Sequence, residues 1–235
     1  MTFTLGGRLA AEVLGTAFLL AAVVGSGIMG ERLANGNIAL ALLANSLATG
    51  AVLVALILAL GPISGAHFNP AVTLAEALNG GIAWREAPAY VSAQILGAFG
   101  GVAAAHAMFG LPLFSASHHL RHGPALLWSE FIATFGLVTV IWGCARARPS
   151  SVAFAVGAYI TAAYWFTGST SFANPAVTLA RAASDTFAGI RPTDAPAFVA
   201  AQLVATVAAS LCCRGLARSA DNSAARQRHD RSLQR

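Results

Sequence analysis

Charge is scarce in this chain: 10% of its 235 residues are Asp, Glu, Lys or Arg, against roughly 25% in an ordinary soluble domain. Hydrophobic residues supply 57% and form long runs from end to end. That balance excludes a water-soluble globular domain and indicates a polytopic membrane protein. Cysteine is also sparse. Cys144, Cys212 and Cys213 lie at the ends of apolar segments with neither a disulfide framework nor metal-ligand spacing, and they read as small apolar residues or incidental thiols. No nucleophile–base pair stands out. His118, His119 and His122 share a loop, where a solvated turn is a simpler reading than a metal site. No catalytic residue, metal or cofactor is therefore expected.

The positive charge that is present is concentrated at one end. Beyond residue 213, Arg214, Arg218, Arg226, Arg228, Arg231 and Arg235 face only Asp221 and Asp230, so this tail carries four of the five net charges. A basic tail after a membrane span marks the cytoplasmic side rather than a nucleic-acid surface. Six stretches suffice to cross a hydrocarbon layer of about 30 Å; they lie near residues 9–29, 38–60, 88–109, 124–144, 151–169 and 195–213. Six spans put both termini inside. Arg146 and Arg148 then fall on the cytoplasmic face, as the positive-inside rule prefers, while Arg32 and Arg191 fall outside. Arg8 precedes a first span with no clear cleavage site, which reads as a retained helix rather than a signal peptide. The expected organisation is one domain over residues 1–213, followed by a disordered cytoplasmic tail over 214–235.

Within that frame one heptad occurs twice. Asn69-Pro70-Ala71-Val72-Thr73-Leu74-Ala75 recurs as Asn174-Pro175-Ala176-Val177-Thr178-Leu179-Ala180, each time after a small polar run. Asn caps a helix well, and Pro has its φ pre-set for the first helical turn, so each copy reads as a loop that begins a helix. The repeat extends outward. Glu12 matches Glu130, and the segment Ala87-Pro88-Ala89-Tyr90 with Gln94 matches Ala195-Pro196-Ala197-Phe198 with Gln202. Spans 1–3 thus repeat as spans 4–6, over about 8–109 and 124–213; three is odd, so the second copy is inverted. The heptads are too short to cross. They must be re-entrant half-helices whose N-termini meet near the midplane, where irregular backbone survives only against protein or a water-filled cavity.

The paired Asn-Pro-Ala motifs, the six spans and the matched Glu12/Glu130 and Gln94/Gln202 resemble the aquaporin (major intrinsic protein) family over residues 8–213. The fold expected is therefore an all-α membrane protein of six transmembrane helices plus two re-entrant half-helices in inverted repeats. The resemblance implies a passive channel in a bacterial-type inner membrane, assembled as a homotetramer in the lipid bilayer, with small neutral solutes and water as its cargo.

At the midplane, Asn69 and Asn174 can cap their own helices through the carbonyl while turning amide donors toward a passing oxygen. Donors and two helix N-termini accept neutral hydroxyl solutes and repel cations. Loop carbonyls from Gly65-Ala66-His67 and Ser169-Thr170-Ser171 should add a ladder of acceptors. His67 either lines the vestibule or is a packed hydrogen-bonding residue. Glu12 and Glu130 are expected to hold the re-entrant loops by accepting backbone N–H bonds, which the resemblance also implies. Most family members carry Arg where this chain has Val177. By family spacing the other filter positions are Thr49, Ala162 and the Ser171 region, a small and uncharged set that implies a wide constriction. Glycerol-like polyols, urea-like molecules and metalloid hydroxides such as arsenous acid become expected cargo, and Val at this position resembles a bacterial branch associated with arsenic detoxification. Arg181, one turn beyond Val177, either leans back toward the constriction or snorkels to the surface. Glu76 is its counterpart at the other mouth. A water-selective channel and, less favoured, a proton-coupled transporter are the alternatives; a transporter would need Glu12 or Glu130 to face the pore.

Overall fold

The computed structural model describes residues 3–233, with side chains through residue 219. Among the described residues eight α-helices follow one another: α1 (Leu5–Leu33), α2 (Ile38–Ser64), α3 (Pro70–Asn79), α4 (Ala87–Met108), α5 (Pro124–Ala147), α6 (Val152–Phe166), α7 (Pro175–Arg181) and α8 (Ala195–Leu233). No strand occurs among the described residues. α1, α2, α4, α5 and α8 are each long and apolar enough to cross a membrane. α6 is the sixth long segment, with 15 residues entered through a single 3-10 turn at Pro149–Ser151. It ends at Phe166 rather than at residue 169. Thr167 is extended and its carbonyl closes a turn on the Thr170 N–H, so the polar Gly168-Ser169-Thr170 run leaves the helix early.

Each half is built alike. α1 packs on α4 and α2, and α5 packs on α8 and α6. The half-helices cross over: α3 lies against α8, and α7 against α4. Close backbone approach needs small residues, which TM helices use where no hydrophobic force drives helices together. A methyl on Gly97 would stand 2.3 Å from the Val13 carbonyl oxygen, and one on Gly101 2.2 Å from that of Ala17, so α4 presents a glycine every turn to α1. The interior is otherwise Leu20, Val24, Ala98, Val102, Ala105 and Ala133, all fully buried. Large apolar side chains such as Phe18, Leu58, Trp128, Phe154 and Leu211 remain exposed, as befits a molecule whose solvent is lipid.

Two connections position the site. The chain between α4 and α5 runs across the end of α7, where Ser115 and Ser117 donate their N–H groups to the carbonyls of Ala183 and Ala182. It is held there by His118, whose backbone N–H and ring both bond Asp185 at 2.9 Å, and by the Arg121 N–H on Asp194. At the other end of the chain, α8 does not stop at residue 213. Arg214–Ser219, expected to begin a disordered tail, continue the helix, as the helix-forming Arg, Leu and Ala in this stretch favour. The tail's side chains after Ser219 lie outside the described residues.

Candidate functional site

The two re-entrant loops meet through reciprocal bonds. Asn69 Oδ1 accepts from the Ala71 N–H at 2.8 Å, and Asn174 Oδ1 from Ala176 and Val177, so each Asn caps its own half-helix. Each Nδ2 reaches into the other half: Asn69 donates to the Ala173 carbonyl and Asn174 to the Phe68 carbonyl, both at 2.8 Å. Phe68 and Ala173, the residues just before the two Asn, sit at φ 49° and 47°. Left-handed backbone at a non-glycine residue costs on the order of 1–2 kcal/mol. Here it turns both carbonyls toward the opposite Asn. One of the two N–H bonds of each amide is thus spent across the pseudo-twofold, which leaves one for the lumen.

Both loops hang on buried carboxylates. Glu12 accepts from the His67 and Phe68 N–H groups, the Ser64 hydroxyl and Gln94 Nε2. Glu130 accepts from the Phe172 and Ala173 N–H groups and Gln202 Nε2. The glutamines bridge onward to Thr73 and Thr178, on α3 and α7. Two buried charges in an apolar bundle are tolerable only when saturated in this way.

A cavity of about 350 Å³ is lined by residues of both halves, with Asn69 and Asn174 in its wall. Arg8, Glu76, Gly81 and Tyr90 line one part and Thr49, Tyr164, Ser171, Phe172, Val177 and Arg181 another. Glu12 and Glu130 are not in its wall. His67 does line it, and its Nδ1 bonds the Thr73 hydroxyl at 3.0 Å, so it is both a vestibule residue and a packed one. Thr49, Ser171 and Val177 lie in the cavity wall; the Ser171 hydroxyl is buried with no protein partner among the described residues.

Ala162 does not line the cavity: it is exposed on the outer face of α6, while Val156, Ile160 and Tyr164 line the cavity at a spacing of four. An error of two residues turns a helical position by about 200°, to the opposite side. Tyr164 therefore occupies the wall where a methyl group was expected, its hydroxyl 3.2 Å from that of Thr49. Nor is the set free of charge. Arg181 is 2% exposed and does not snorkel; its Nε donates to the Ala188 carbonyl and its guanidinium carbon lies 3.4 Å from the centre of the Phe172 ring. The wall around Val177 is thus bulkier and more cationic than its small residues alone imply.

Three residues of this region went unread in the sequence: Tyr164, Phe172 and Arg121. The Tyr could have been found from the 156/160/164 spacing, had the start of α6 been fixed. Arg121 has no local signal. It comes from the connection before α5, with Nε on the Gly189 carbonyl at 2.8 Å and Nη1 on the Ser169 carbonyl at 3.1 Å. Its guanidinium also lies over Phe172, 5.0 Å from the ring centre.

A sequence model of the family described as Major intrinsic protein matches residues 2–151. The chain is 55% identical to Aquaglyceroporin AqpS of Rhizobium meliloti (strain 1021) over 214 residues, covering 91% of each protein. It is 36% identical to Aquaporin NIP1-3 of Oryza sativa subsp. japonica over 182 residues, covering 73% of this chain and 62% of that one. The fold is similar to the X-ray structure of the aquaglyceroporin from Plasmodium falciparum, with a TM-score of 0.69 over 90% of this chain and 95% of that one, at 23% identity.

Proposed function

This chain belongs to the major intrinsic protein family, and we propose that it is a passive transmembrane channel, not an enzyme, for small uncharged solutes: glycerol-like polyols, water and metalloid hydroxides such as arsenous acid. The observation that carries the reading is the cavity lined by both halves, with Asn69 and Asn174 in its wall and both buried glutamates outside it. A solute crossing the middle meets fixed donors and no titratable carboxylate, which suits neutral hydroxyl compounds and leaves no carboxylate there to couple flux to protons. The name of the Rhizobium meliloti relative, an aquaglyceroporin, supports the same cargo class.

In this reading Asn69 and Asn174, with Pro70, Ala71, Pro175 and Ala176 setting the helix starts, form the central barrier. Glu12 and Glu130 hold its loops. Thr49, Tyr164, Ser171, Val177 and Arg181 form the selectivity filter at the extracellular end, and His67 and Glu76 line the cytoplasmic vestibule. The protein sits in a bacterial-type inner membrane with both termini cytoplasmic and works as a homotetramer with one pore per protomer. Tyr164 and Arg181 in the wall favour a second reading, a narrower, water-selective filter. Uptake of labelled glycerol and of arsenous acid into proteoliposomes, with and without an imposed proton gradient, tests the proposal. Uptake of both that ignores the gradient supports it; uptake that follows the gradient refutes a passive channel, and water flux without either solute establishes the narrower filter.

A further inference from the structure

Around Phe172 the structure places two guanidinium groups and no free carboxylate. Arg181 and Arg121 both lie over its ring, at 3.4 Å and 5.0 Å from the centre. The Arg121 guanidinium is held by the carbonyls of Gly189 and Ser169 and, at 3.5 Å, the Thr170 hydroxyl. The nearby acids are engaged elsewhere: Asp194 takes the Arg121 backbone N–H and pairs with Arg191 at 2.7 Å, and Glu130 takes two loop N–H groups and Gln202. Among the described residues no carboxylate bonds either guanidinium.

We propose, on the channel reading above, that Arg121 is a specificity-determining residue: a second fixed cation, delivered from the connection before α5, that makes the Arg181 end of the pore reject cations in the absence of Arg at position 177. Bonded to the Ser169 carbonyl at 3.1 Å and lying over Phe172, a residue of the wall, it sets a unit charge behind that ring. Charges in a low-dielectric surround are screened little, so a buried guanidinium need not touch the solute to repel a cation there. The other mouth differs. There Arg8 is paired with Glu86 at 2.8 Å and Glu76 lines the cavity, so a cation meets no comparable barrier at that end.

The test compares R121Q and R121K with the wild-type channel in proteoliposomes, following labelled methylammonium at neutral pH beside glycerol. R121Q removes the charge and keeps an amide donor; R121K keeps the charge. The expected result is a methylammonium leak raised by about fivefold or more in R121Q. R121K stays at the wild-type level, and glycerol flux changes less than about twofold in both. A leak equal in all three proteins, or equal in R121Q and R121K, overturns the proposal. R121H supplies the comparison within one folded protein: its leak relative to the wild type's at the same pH should be larger at pH 8 than at pH 5, and a ratio indifferent to pH counts against the proposal. A wild-type protein that passes no glycerol above empty vesicles refutes the channel reading itself, which is a separate outcome.

Discussion

The hydroxyl of Tyr164 stands 3.2 Å from that of Thr49, joining α6 to α2 inside the cavity wall that also holds Val177 and Arg181. On the proposed channel reading, these two side chains help to set the width of the wall beside Val177. Tyr164→Ala should widen it, raising the flux of a four-carbon polyol such as erythritol relative to glycerol by several-fold. Tyr164→Phe keeps the ring and loses one buried hydrogen bond, about 1 kcal/mol of stability, so its solute ratio should match the wild type. Paired stopped-flow traces of the two polyols check both.

Val177→Arg addresses the same space from α7. A guanidinium there would fill volume and stand close to Arg181, and both effects oppose large solutes and positive charge. Glycerol flux is expected to fall by roughly tenfold or more, with water flux falling less. Equal loss of both in correctly assembled protein would show that position 177 does not set the size limit.

Gly15 tests the scaffold beneath the Asn-Pro-Ala loops. A methyl group added to it would lie 2.0 Å from the Phe68 ring, and Phe68 supplies the carbonyl that receives Asn174 Nδ2. Overpacking of this kind costs about 1–3 kcal/mol. Gly15→Ala should lower the midpoint of thermal unfolding in detergent and slow all solutes together, without changing their ratio.

The tie between His118 and Asp185 is pH-sensitive. Hydrogen bonds from the His118 N–H, then from its ring, hold the Asp185 carboxyl below its ordinary value. A carboxyl depressed in the folded state stabilises above its unfolded pKa, near 3.9, and that contribution is lost as pH falls through the folded value. Amide exchange at Ser115 and Ser117 should thus stay slow from neutral pH down to about 4 and then quicken relative to intrinsic rates. Asp185→Asn should remove the step.

How much of this was legible in the chain depended on the kind of signal. The identical heptads at 69 and 174 carry their own caps and helix starts, so the re-entrant loops and their meeting could be read directly. Glu12 and Glu130 announced themselves because a carboxylate in an apolar span must be saturated. α2 and α6 are apolar on every side, so periodicity does not say which face turns inward. A filter position counted along such a helix is only as good as the assumed helix start, which is how Ala162 stood in for Tyr164. Arg121 was beyond sequence reasoning for another reason: its place depends on a connection stitched to Asp185, Asp194 and Gly189, all at least 60 residues away in the chain.

The most direct test of the whole reading is the ratio of glycerol to water permeability of the wild-type protein in one preparation of proteoliposomes, measured by stopped-flow light scattering against protein-free vesicles. Rapid glycerol reswelling, well above the vesicle background and alongside water flux, is the expected result. Fast water flux with glycerol at background would contradict a wide filter around Val177.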